Sequence, residues 1–387
     1  MASVGPTSPV ERLDRRPPRR APGRLRTGLL VAGIALVVLL AGYAVYAFES
    51  TPPATLVVYT YDSLLGGNCG ANTSAFQPFE SAHHITIRFE CPAGSLASAL
   101  IAEKDAPVAD LVVGLNEITG PQAEAAGVLD PYQPPGLANV SPALAAAIST
   151  DGSVTPYEWG YLGIDSCPSF VTATGGASER WSFPQAAANL TWARNLIVEN
   201  PVIDTTGEEF LVWEIQFYEQ VLHENWTSFW SRIAPSMTDA SSWSDAFYSD
   251  FTCARGTPGS VVSYVTDSAY GAAQSPPVPQ PSSLSWWNGT AYGWKTIYGV
   301  GIVRGSAHLS LDKQFVNYLL SGPLQSQLPT TEWEYPANAT IALPSVYGNV
   351  SNLSAVHALN DGVSPATIAV DISTWLDEWQ ATVDAAG

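Results

Sequence analysis

The sequence predicts an α/β protein with two lobes, preceded by a transmembrane helix. Segments with strand and helix patterns alternate from residue 55 onward, which is typical of a mainly parallel sheet with helices on its faces. The chain has 387 residues, which exceeds what one hydrophobic core usually holds and favours two lobes. An apolar stretch without charged residues, 27–48, precedes the alternating region and is long enough to cross a bilayer.

The segments before the alternating region are an arm, an anchor and a linker. Residues 1–26 contain seven arginines among prolines and glycines, a composition typical of a disordered segment. Arginines on this side of the anchor predict a cytoplasmic N-terminus and an extracellular domain beyond the cell membrane. Residues 49–54 link the anchor to this domain, which spans 55–387. A signal peptide cleaved after Ala47 is the alternative, although signal peptides have shorter apolar cores.

Cysteines and glycosylation motifs support an exterior location. All four cysteines and eight N-x-S/T sequons follow the apolar stretch. An even number of cysteines outside the cell predicts two disulfides. The candidate glycosylation sites are Asn72, Asn139, Asn189, Asn225, Asn288, Asn338, Asn349 and Asn352.

The charge balance of the chain is strongly acidic. Thirty-five acidic residues against 16 basic residues give a net charge of −19. An acidic surface repels phosphates, so we do not expect nucleic acid as a partner. The same charge steers cationic ligands toward a protein, but it also keeps many exterior proteins soluble, and both interpretations stay open.

The alternating region contains two successive sets of strands and helices. In the first set, residues 55–61, 85–90 and 109–115 have strand patterns, and helical segments follow each of them. An extended aromatic segment, 154–164, leads into the second set. That set comprises a strand at 195–201, an amphipathic helix at 207–222, the helical segments WTSFWSRIA and SWSDAFYSDF, the strand GSVVSYV, a loop at 275–284, the strand YGVGIVR and the helices LDKQFVNYLLSG and ISTWLDEWQATV.

We therefore expect two α/β lobes, each with its own sheet. The first lobe is assigned approximately to residues 55–153 and 296–335, and the second to 154–295 and 336–387. Ligands in such folds bind outside the carboxyl ends of the strands. Tyr61 and Asp62 follow one strand of the first lobe, and the segment VSYVTDSAY ends a strand of the second lobe.

Catalytic motifs are scarce in the sequence. It has no G-x-S-x-G, H-E-x-x-H or P-loop motif, and we expect no cofactor. His83 and His84 are more typical of an exposed pair than of a metal site. Cys167 is a possible nucleophile, but an exterior cysteine more often forms a disulfide. A binding protein fits these observations better than an enzyme.

Several motifs occur in the order found in a known family. They are LVVYTYDS, ADLVVGL, VTPYEWGYLGI, NLIVENPVIDTTGEEFLVW, SSWSDAFY, VVSYVTDSAY and the segment that ends in PTTEWEYP. By these motifs the chain resembles the thiamine-binding periplasmic proteins of ABC importers, within the type II periplasmic-binding-protein superfamily. The resemblance implies two lobes that close on a ligand and delivery to an importer permease and its ATPase.

The resemblance also implies a set of ligand-binding residues. The family motifs that match are the tyrosines of Y-T-Y-D and S-Y-T-T-S-P-A-Y, the acid of P-F-D-Y-G-Y, and the tryptophans of G-W-S-E-A-Y and N-W-M-Y-P. With the acid of YTYD and the helix start in DTTGEE, the predicted binding residues are Tyr61, Asp62, Glu158, Thr206, Trp243, Tyr264, Tyr270 and Trp333. Aromatic faces of this kind attract a cationic ring.

Two segments depart from the family pattern. SLLGGNCG lacks the family's stacking tryptophan, and ECPAGSLAS lacks its ligand-facing aspartate. Cys69 and Cys91 lie in these two segments, while Cys167 and Cys253 both lie in the second lobe. We therefore predict the disulfides Cys69–Cys91 and Cys167–Cys253. The expected ligand is thiamine or a related cationic heterocycle.

Acidic residues surround the predicted helix start at Thr205. Free N–H groups at a helix start usually accept an anion, such as the phosphate tail of a ligand. Here Asp204 precedes the start, and Glu208 and Glu209 follow it. They are expected to repel a phosphate, unless the two glutamates point to solvent.

Two other functions remain as alternatives. Thiamine-degrading transferases share the fold and use a cysteine nucleophile, for which Cys167 is the candidate. Ferric-iron receptors hold the metal with tyrosines. That family usually has adjacent tyrosines, whereas Tyr264 is followed by Val265.

Overall fold

The computed structural model describes residues 33–39, 53–67, 69, 74–175 and 181–387. The chain divides into two units, Met1–Pro53 and Ala54–Gly387. The predicted arm, residues 1–26, lies outside the described residues. Of the predicted anchor, 27–48, only 33–39 are described, and they are helical with exposed side chains. No helix among the described residues is long and apolar enough to cross a membrane.

The second unit consists of alternating strands and helices. The strands are β1 (Ala54–Tyr59), β2 (Ile85–Glu90), β3 (Leu111–Leu115), β4 (Leu129–Asp130), β5 (Val154–Ser166), β6 (Leu196–Glu199), β7 (Thr238–Ala240), β8 (Ser260–Tyr264), β9 (Ser282–Ser283), β10 (Ser285–Trp287), β11 (Thr290–Gly293), β12 (Lys295–Val303), β13 (Tyr335–Pro336) and β14 (His357–Ala358). The α-helices are Gln77–His83, Leu96–Ala102, Thr119–Ala126, Pro142–Ile148, Pro168–Ala173, Phe183–Ala188, Leu190–Ala193, Thr205–Phe217, Thr227–Ile233, Asp267–Ala273, Leu309–Leu319, Gly322–Gln325, Leu328–Thr331 and Pro365–Ala386.

The two expected sheets are joined through one long strand. The strand order is β2-β1-β3-β12-β5-β8-β6-β7, with β1, β2 and β3 parallel and β12 antiparallel to its neighbours. The first part of β5, up to Tyr161, pairs with β12, and its last part, from Leu162, pairs with β8. The prediction of separate sheets was therefore wrong. A strand of 13 residues is long enough to serve both halves.

Each half of the sheet has its own hydrophobic core. The first core is mainly aliphatic and packs the helix Leu309–Leu319 against the strands around β3. The second is rich in aromatic rings from the helices Thr205–Phe217, Thr227–Ile233 and Pro365–Ala386. Eight of the chain's 13 tryptophans are buried in this second core: Trp181, Trp192, Trp213, Trp226, Trp230, Trp294, Trp375 and Trp379.

The helix Thr205–Phe217 is buried on every side. Every residue from Thr206 to Phe217 is buried, so the predicted helix is confirmed up to Phe217 but its predicted amphipathic character was wrong. A helix that lies between a sheet and other helices has no face left for water. The end of the predicted helix, Tyr218–Leu222, forms a π-helical turn, as does Asp245–Asp250.

Both predicted disulfides are confirmed. Cys69 is bonded to Cys91 and Cys167 to Cys253, and the Cα atoms are 5.5 Å apart in each pair. The Cys167 sulfur is therefore committed to a disulfide, and its proposed part as a nucleophile was wrong.

The sequons differ in exposure. Asn139, Asn189, Asn225, Asn288, Asn349 and Asn352 are exposed. Asn72 lies outside the described residues. Asn338 is buried at 5% exposure, and its side-chain oxygen accepts hydrogen bonds from the N–H and hydroxyl of Thr340. The expectation that Asn338 is an accessible acceptor was wrong for the folded chain, because its amide is held inside a turn.

Candidate ligand-binding site

The second unit contains a cavity of about 510 Å³, lined by residues that follow β1, that end β8 and that lie inside β5 and β12. This volume is in the range that accommodates a small heterocyclic ligand. All eight predicted binding residues line this cavity: Tyr61, Asp62, Glu158, Thr206, Trp243, Tyr264, Tyr270 and Trp333. The structure thus brings together residues that are up to 272 positions apart in the chain, from 61 to 333.

Trp243 forms one aromatic wall of the cavity. Its ring stacks on Phe247 at 5.0 Å between centroids and an interplanar angle of 18°. The indole N–H donates to the Ser263 hydroxyl at 3.0 Å, and the backbone N–H donates to Asp204 at 3.0 Å. The ring of Tyr264 lies 6.2 Å away. These contacts hold the Trp243 ring in one orientation before any ligand enters.

Tyr270 and Trp333 contribute a second pair of rings. Their centroids are 5.4 Å apart, with planes at 71°. Trp333 has a backbone φ of 58°, a left-handed conformation that bulky residues rarely adopt. Its N–H donates to the carbonyl of Leu328 at 3.0 Å, which helps to maintain this conformation. Strained backbone of this kind occurs preferentially at ligand-binding positions.

Tyr61 lies at the centre of a polar cluster. Its hydroxyl is 2.9 Å from that of Tyr157, and it donates toward Glu158 at 3.2 Å or Glu332 at 2.8 Å. Burial and the two nearby carboxylates raise the pKa of Tyr61 well above its usual range. Gly114, with φ of 110°, leaves room for this ring, since a methyl group there would overlap it.

The charged side chains that line the cavity are all acidic. They are Asp62, Glu158, Asp204, Asp267, Glu332 and Glu334, and the described residues contribute no lysine, arginine or histidine to the lining. Desolvation by burial is the main cause that raises their pKa values where a shift is resolved. It raises the pKa of Glu332 to about 7 and those of Asp204 and Asp267 to about 6. The pKa values of Glu158 and Glu334 lie well above the usual range.

A hydroxyl network connects the cavity to buried groups behind it. The Tyr264 hydroxyl lies 3.2 Å from that of Thr206 and 2.9 Å from that of Tyr298. Tyr298 donates to Glu209 at 3.2 Å, and the side chain of Asn116 donates to the same carboxyl at 2.9 Å. The network therefore holds strands and helices of both cores together around the cavity.

The acids at the start of the helix Thr205–Phe217 are buried. Glu208 and Glu209 are 6% and 0% exposed, so the alternative in which they point to solvent was wrong. Asp204 accepts hydrogen bonds from the N–H groups of Thr206 at 2.9 Å and Gly207 at 3.1 Å. Because Asp204 occupies the donors of this helix start, they are not free for a phosphate.

Several lining residues were not singled out from the sequence. Phe247, Tyr248, Tyr298, Glu332 and Glu334 belong to the cavity. Phe247 and Tyr248 follow Trp243 within SSWSDAFY, and Glu332 and Glu334 flank Trp333, so proximity to matched positions was the available signal. Tyr298 lies inside β12, and its apolar neighbours gave no indication of a site.

The cavity carboxyls make ligand affinity dependent on pH. Raising the pH from about 5 to 7.5 ionises Glu332 and Asp267, so we expect the affinity for a cation to rise about tenfold in calorimetric titrations. In the absence of ligand, the stability of the folded chain changes with pH in the opposite direction to the affinity. The folded chain holds these protons more tightly than the unfolded chain, so its free energy of unfolding falls as the pH rises from about 4.5 to 7. An affinity for the cation that falls over this pH interval would contradict the expectation that these carboxyl groups attract the ligand.

Comparison with known proteins identifies similar chains. The chain is 23% identical to the thiamine-binding periplasmic protein of Salmonella typhimurium over 338 residues, which covers 85% of this chain and 93% of that protein. The thiamine-binding periplasmic protein of Brucella suis is also 23% identical, over 350 residues, covering 88% and 96%. No protein-family model matches the sequence.

Solved structures show the same fold. A periplasmic thiamin binding protein superposes with a TM-score of 0.70 at 20% identity, covering 86% of this chain and 96% of that chain. The iron-bound HitA of Pseudomonas aeruginosa superposes with a TM-score of 0.63 at 17% identity, covering 85% and 99%. The chain is therefore similar in sequence to thiamine-binding periplasmic proteins, and it shares the α/β fold of solved periplasmic binding proteins.

Proposed function

We propose that the chain binds thiamine or a related cationic heterocycle outside the cell. The observation that carries this proposal is the composition of the cavity wall. Aromatic rings and six carboxyl groups line it, and no basic side chain from the part of the chain that the structure describes does so. Such a site attracts an aromatic cation through both its charge and its ring faces, each face contributing roughly 0.5–2 kcal/mol when desolvated. The thiamine-binding relatives make thiamine the first ligand to test.

The proposed function extends to delivery of the ligand to a transporter. The similar proteins are named as periplasmic proteins that bind thiamine. The partners that we propose for this chain are the permease and the ATPase of an ABC importer. We also propose that residues 27–48 anchor the chain in the cell membrane, with the domain from 55 onward outside. The arginines of residues 1–26 support this orientation.

Ferric iron is the second candidate ligand, because iron-bound HitA shares the fold. Tyr61, Tyr264 and Tyr298 could offer phenol oxygens to a metal. Burial and neighbouring carboxylates, however, raise the pKa values of all three well above the usual range, which disfavours the phenolate form. Within the described residues, no cluster of three or more His, Cys, Asp or Glu side chains is arranged to hold a metal.

A competition experiment distinguishes these ligands. The purified chain is mixed with equal amounts of thiamine, pyridoxal phosphate and ferric citrate, and native mass spectrometry reports which mass is retained. We expect retention of thiamine, because it is the cation that carries aromatic rings. Retention of the phosphate ester or of iron, with a visible phenolate-to-iron absorption band in the latter case, would contradict the proposal.

Phosphorylation of the ligand is expected to weaken binding or leave it unchanged. Asp204 occupies the helix N–H groups that would otherwise accept a phosphate, and among the described residues no basic side chain lines the cavity. Repulsion between one carboxylate and one phosphate charge at about 5–6 Å amounts to about 3 kcal/mol at an effective dielectric of about 20. Calorimetry with thiamine, its monophosphate and its diphosphate checks this. Tenfold tighter binding of the diphosphate would show that another donor group accepts the phosphate.

Membrane topology provides a separate test. If residues 27–48 are an uncleaved anchor, protease added to intact cells removes the domain after residue 48 and spares the N-terminal arm. The fragments are detected with antibodies against the two ends, and permeabilised cells serve as the control in which both are digested. A mature N-terminus near Phe48, found by sequencing the purified chain, would show that the segment is cleaved.

A further inference from the structure

Three carboxyl groups converge on one part of the cavity. They belong to Glu158, Glu332 and Glu334, which we call the carboxyl triad. Glu158 is only 2% exposed and Glu334 only 4% exposed, yet both line the cavity. Glu158 is fixed in β5, where it pairs with Tyr298 of β12 and Pro336 of β13. The triad thus lies where the strands shared by the two cores meet.

Three oxygen atoms of the triad lack a hydrogen-bond partner. They are Oε2 of Glu158, Oε1 of Glu332 and Oε2 of Glu334. The other oxygen of Glu158 and that of Glu334 each have a donor. Tyr61 donates to Oε1 of Glu158, and Thr266 donates to Oε1 of Glu334 at 3.2 Å. Buried polar atoms are nearly always paired, so three unpaired carboxyl oxygens in one cavity leave positions for donors that arrive with a ligand.

The protein itself supplies too few donors for these groups. The single hydroxyl proton of Tyr61 reaches Glu158 at 3.2 Å and Glu332 at 2.8 Å, and it can serve only one of them at a time. Within the described ranges of the chain, no lysine, arginine or histidine lines the cavity to balance the charge. A ligand that brings both N–H donors and positive charge would satisfy both requirements.

The local sequence makes room for the triad. A methyl group at Gly160 would overlap the carboxyl of Glu334, so glycine is needed beside it. Glu332 and Glu334 flank Trp333 in PTTEWEYP, where the family motif N-W-M-Y-P has no acid. The two additional carboxyls therefore distinguish this chain from the motif it otherwise resembles.

The chemistry of the missing partner follows from these contacts. The described residues contain no group of acidic side chains arranged to hold a metal ion, so the triad does not fit a metal. Carboxylates pair best with planar groups that present two parallel N–H donors. An amidinium presents this geometry, and the amino group of an aminopyrimidine offers two N–H donors at one ring edge.

We propose that the carboxyl triad is a specificity site for an amidine-like edge, so that the ligand carries a second, N–H-donating end besides its cationic ring. This inference rests on the proposed function, because it assigns a part of the same cavity to one end of the same ligand. It predicts that an aminopyrimidine or amidine end is selected over an unsubstituted aromatic ring.

The test compares two probes that share one cation. Thiamine carries an aminopyrimidine, and a benzylthiazolium with the same thiazolium ring carries a phenyl group instead. Calorimetry on the wild-type chain is expected to give at least about tenfold tighter binding of thiamine. In Glu334→Gln, which keeps the shape of the side chain, this preference is expected to fall to within about threefold. Glu332→Gln is the second variant, and thermal unfolding of each variant checks folding.

Asp62→Asn is the matched control, because Asp62 lines the cavity outside the triad. It is expected to weaken both probes alike and to keep their ratio. If the wild-type chain binds both probes equally, the triad proposal is overturned while the cation-binding function stands.

Benzamidinium separates the remaining outcomes. If neither thiazolium binds, the proposed function fails. Binding of benzamidinium that is lost in Glu334→Gln would then still support the triad as an amidine site. Absence of that binding, or binding that does not depend on Glu334 or Glu332, would overturn the triad proposal as well.

Discussion

Replacing Cys167 and Cys253 by serine is expected to lower the free energy of unfolding by about 4–5 kcal/mol in the chain-entropy treatment of disulfides. The disulfide joins two residues that are 86 positions apart and so closes a long loop. Removing it lets the unfolded chain adopt more conformations, and this gain increases with the length of the loop. Urea unfolding followed by tryptophan fluorescence measures the change. A loss below about 1 kcal/mol would show that this disulfide contributes little to stability.

Removing the other disulfide is expected to weaken ligand binding as well as stability. Removing Cys69 and Cys91, which are 22 positions apart, is expected to cost about 3 kcal/mol of stability. The N–H of Cys69 donates to the carbonyl of Asp62 at 2.9 Å, so this disulfide also holds a segment that lines the cavity. We therefore expect weaker ligand binding only in this second variant, measured at a temperature where both variants are folded.

Trp243→Ala is expected to weaken thiamine binding by about 2 kcal/mol, or about 30-fold, because a desolvated aromatic face against a cation is lost. The ring is held by Phe247, Ser263 and the backbone bond to Asp204, so it needs no reordering when the ligand binds. Calorimetric titration measures the affinity. Trp243→Phe keeps an aromatic face and is expected to retain part of the binding energy.

Trp286→Ala is the matched control for this substitution. Trp286 is half-buried and does not line the cavity. Its removal is expected to change stability without changing affinity. Equal affinities of Trp243→Ala and the wild-type chain would show that the Trp243 face does not contact the ligand.

The fold was largely predictable because its strands have strong patterns. ITIRFE alternates buried and exposed residues, and LVVGL is apolar throughout, and both segments form strands as expected. The joining of two sheets was not predictable in the same way. The length of β5 is visible in the sequence, but its division between β12 and β8 depends on pairing with strands far along the chain.

The site residues were predictable where they lie in motifs that match the family. Trp243 and Tyr264 were placed by motif, and the structure brings them to one cavity. The cluster around Tyr61 was not predictable, because its partners Tyr157 and Glu332 come from distant segments of the chain. The unpaired oxygens of Glu158, Glu332 and Glu334 arise only from three-dimensional packing, which no local pattern in the sequence records.

The charge preference of the cavity is tested most directly by a pair of isosteric ligands. Deazathiamine is an uncharged isostere of thiamine in which a carbon replaces the positively charged ring nitrogen. At pH 7.5, calorimetry on the wild-type chain is expected to show thiamine binding at least about tenfold more tightly, a difference of about 1.4 kcal/mol. Equal affinities, or tighter binding of the uncharged compound, would contradict the account of an acidic, aromatic cavity built for a cation.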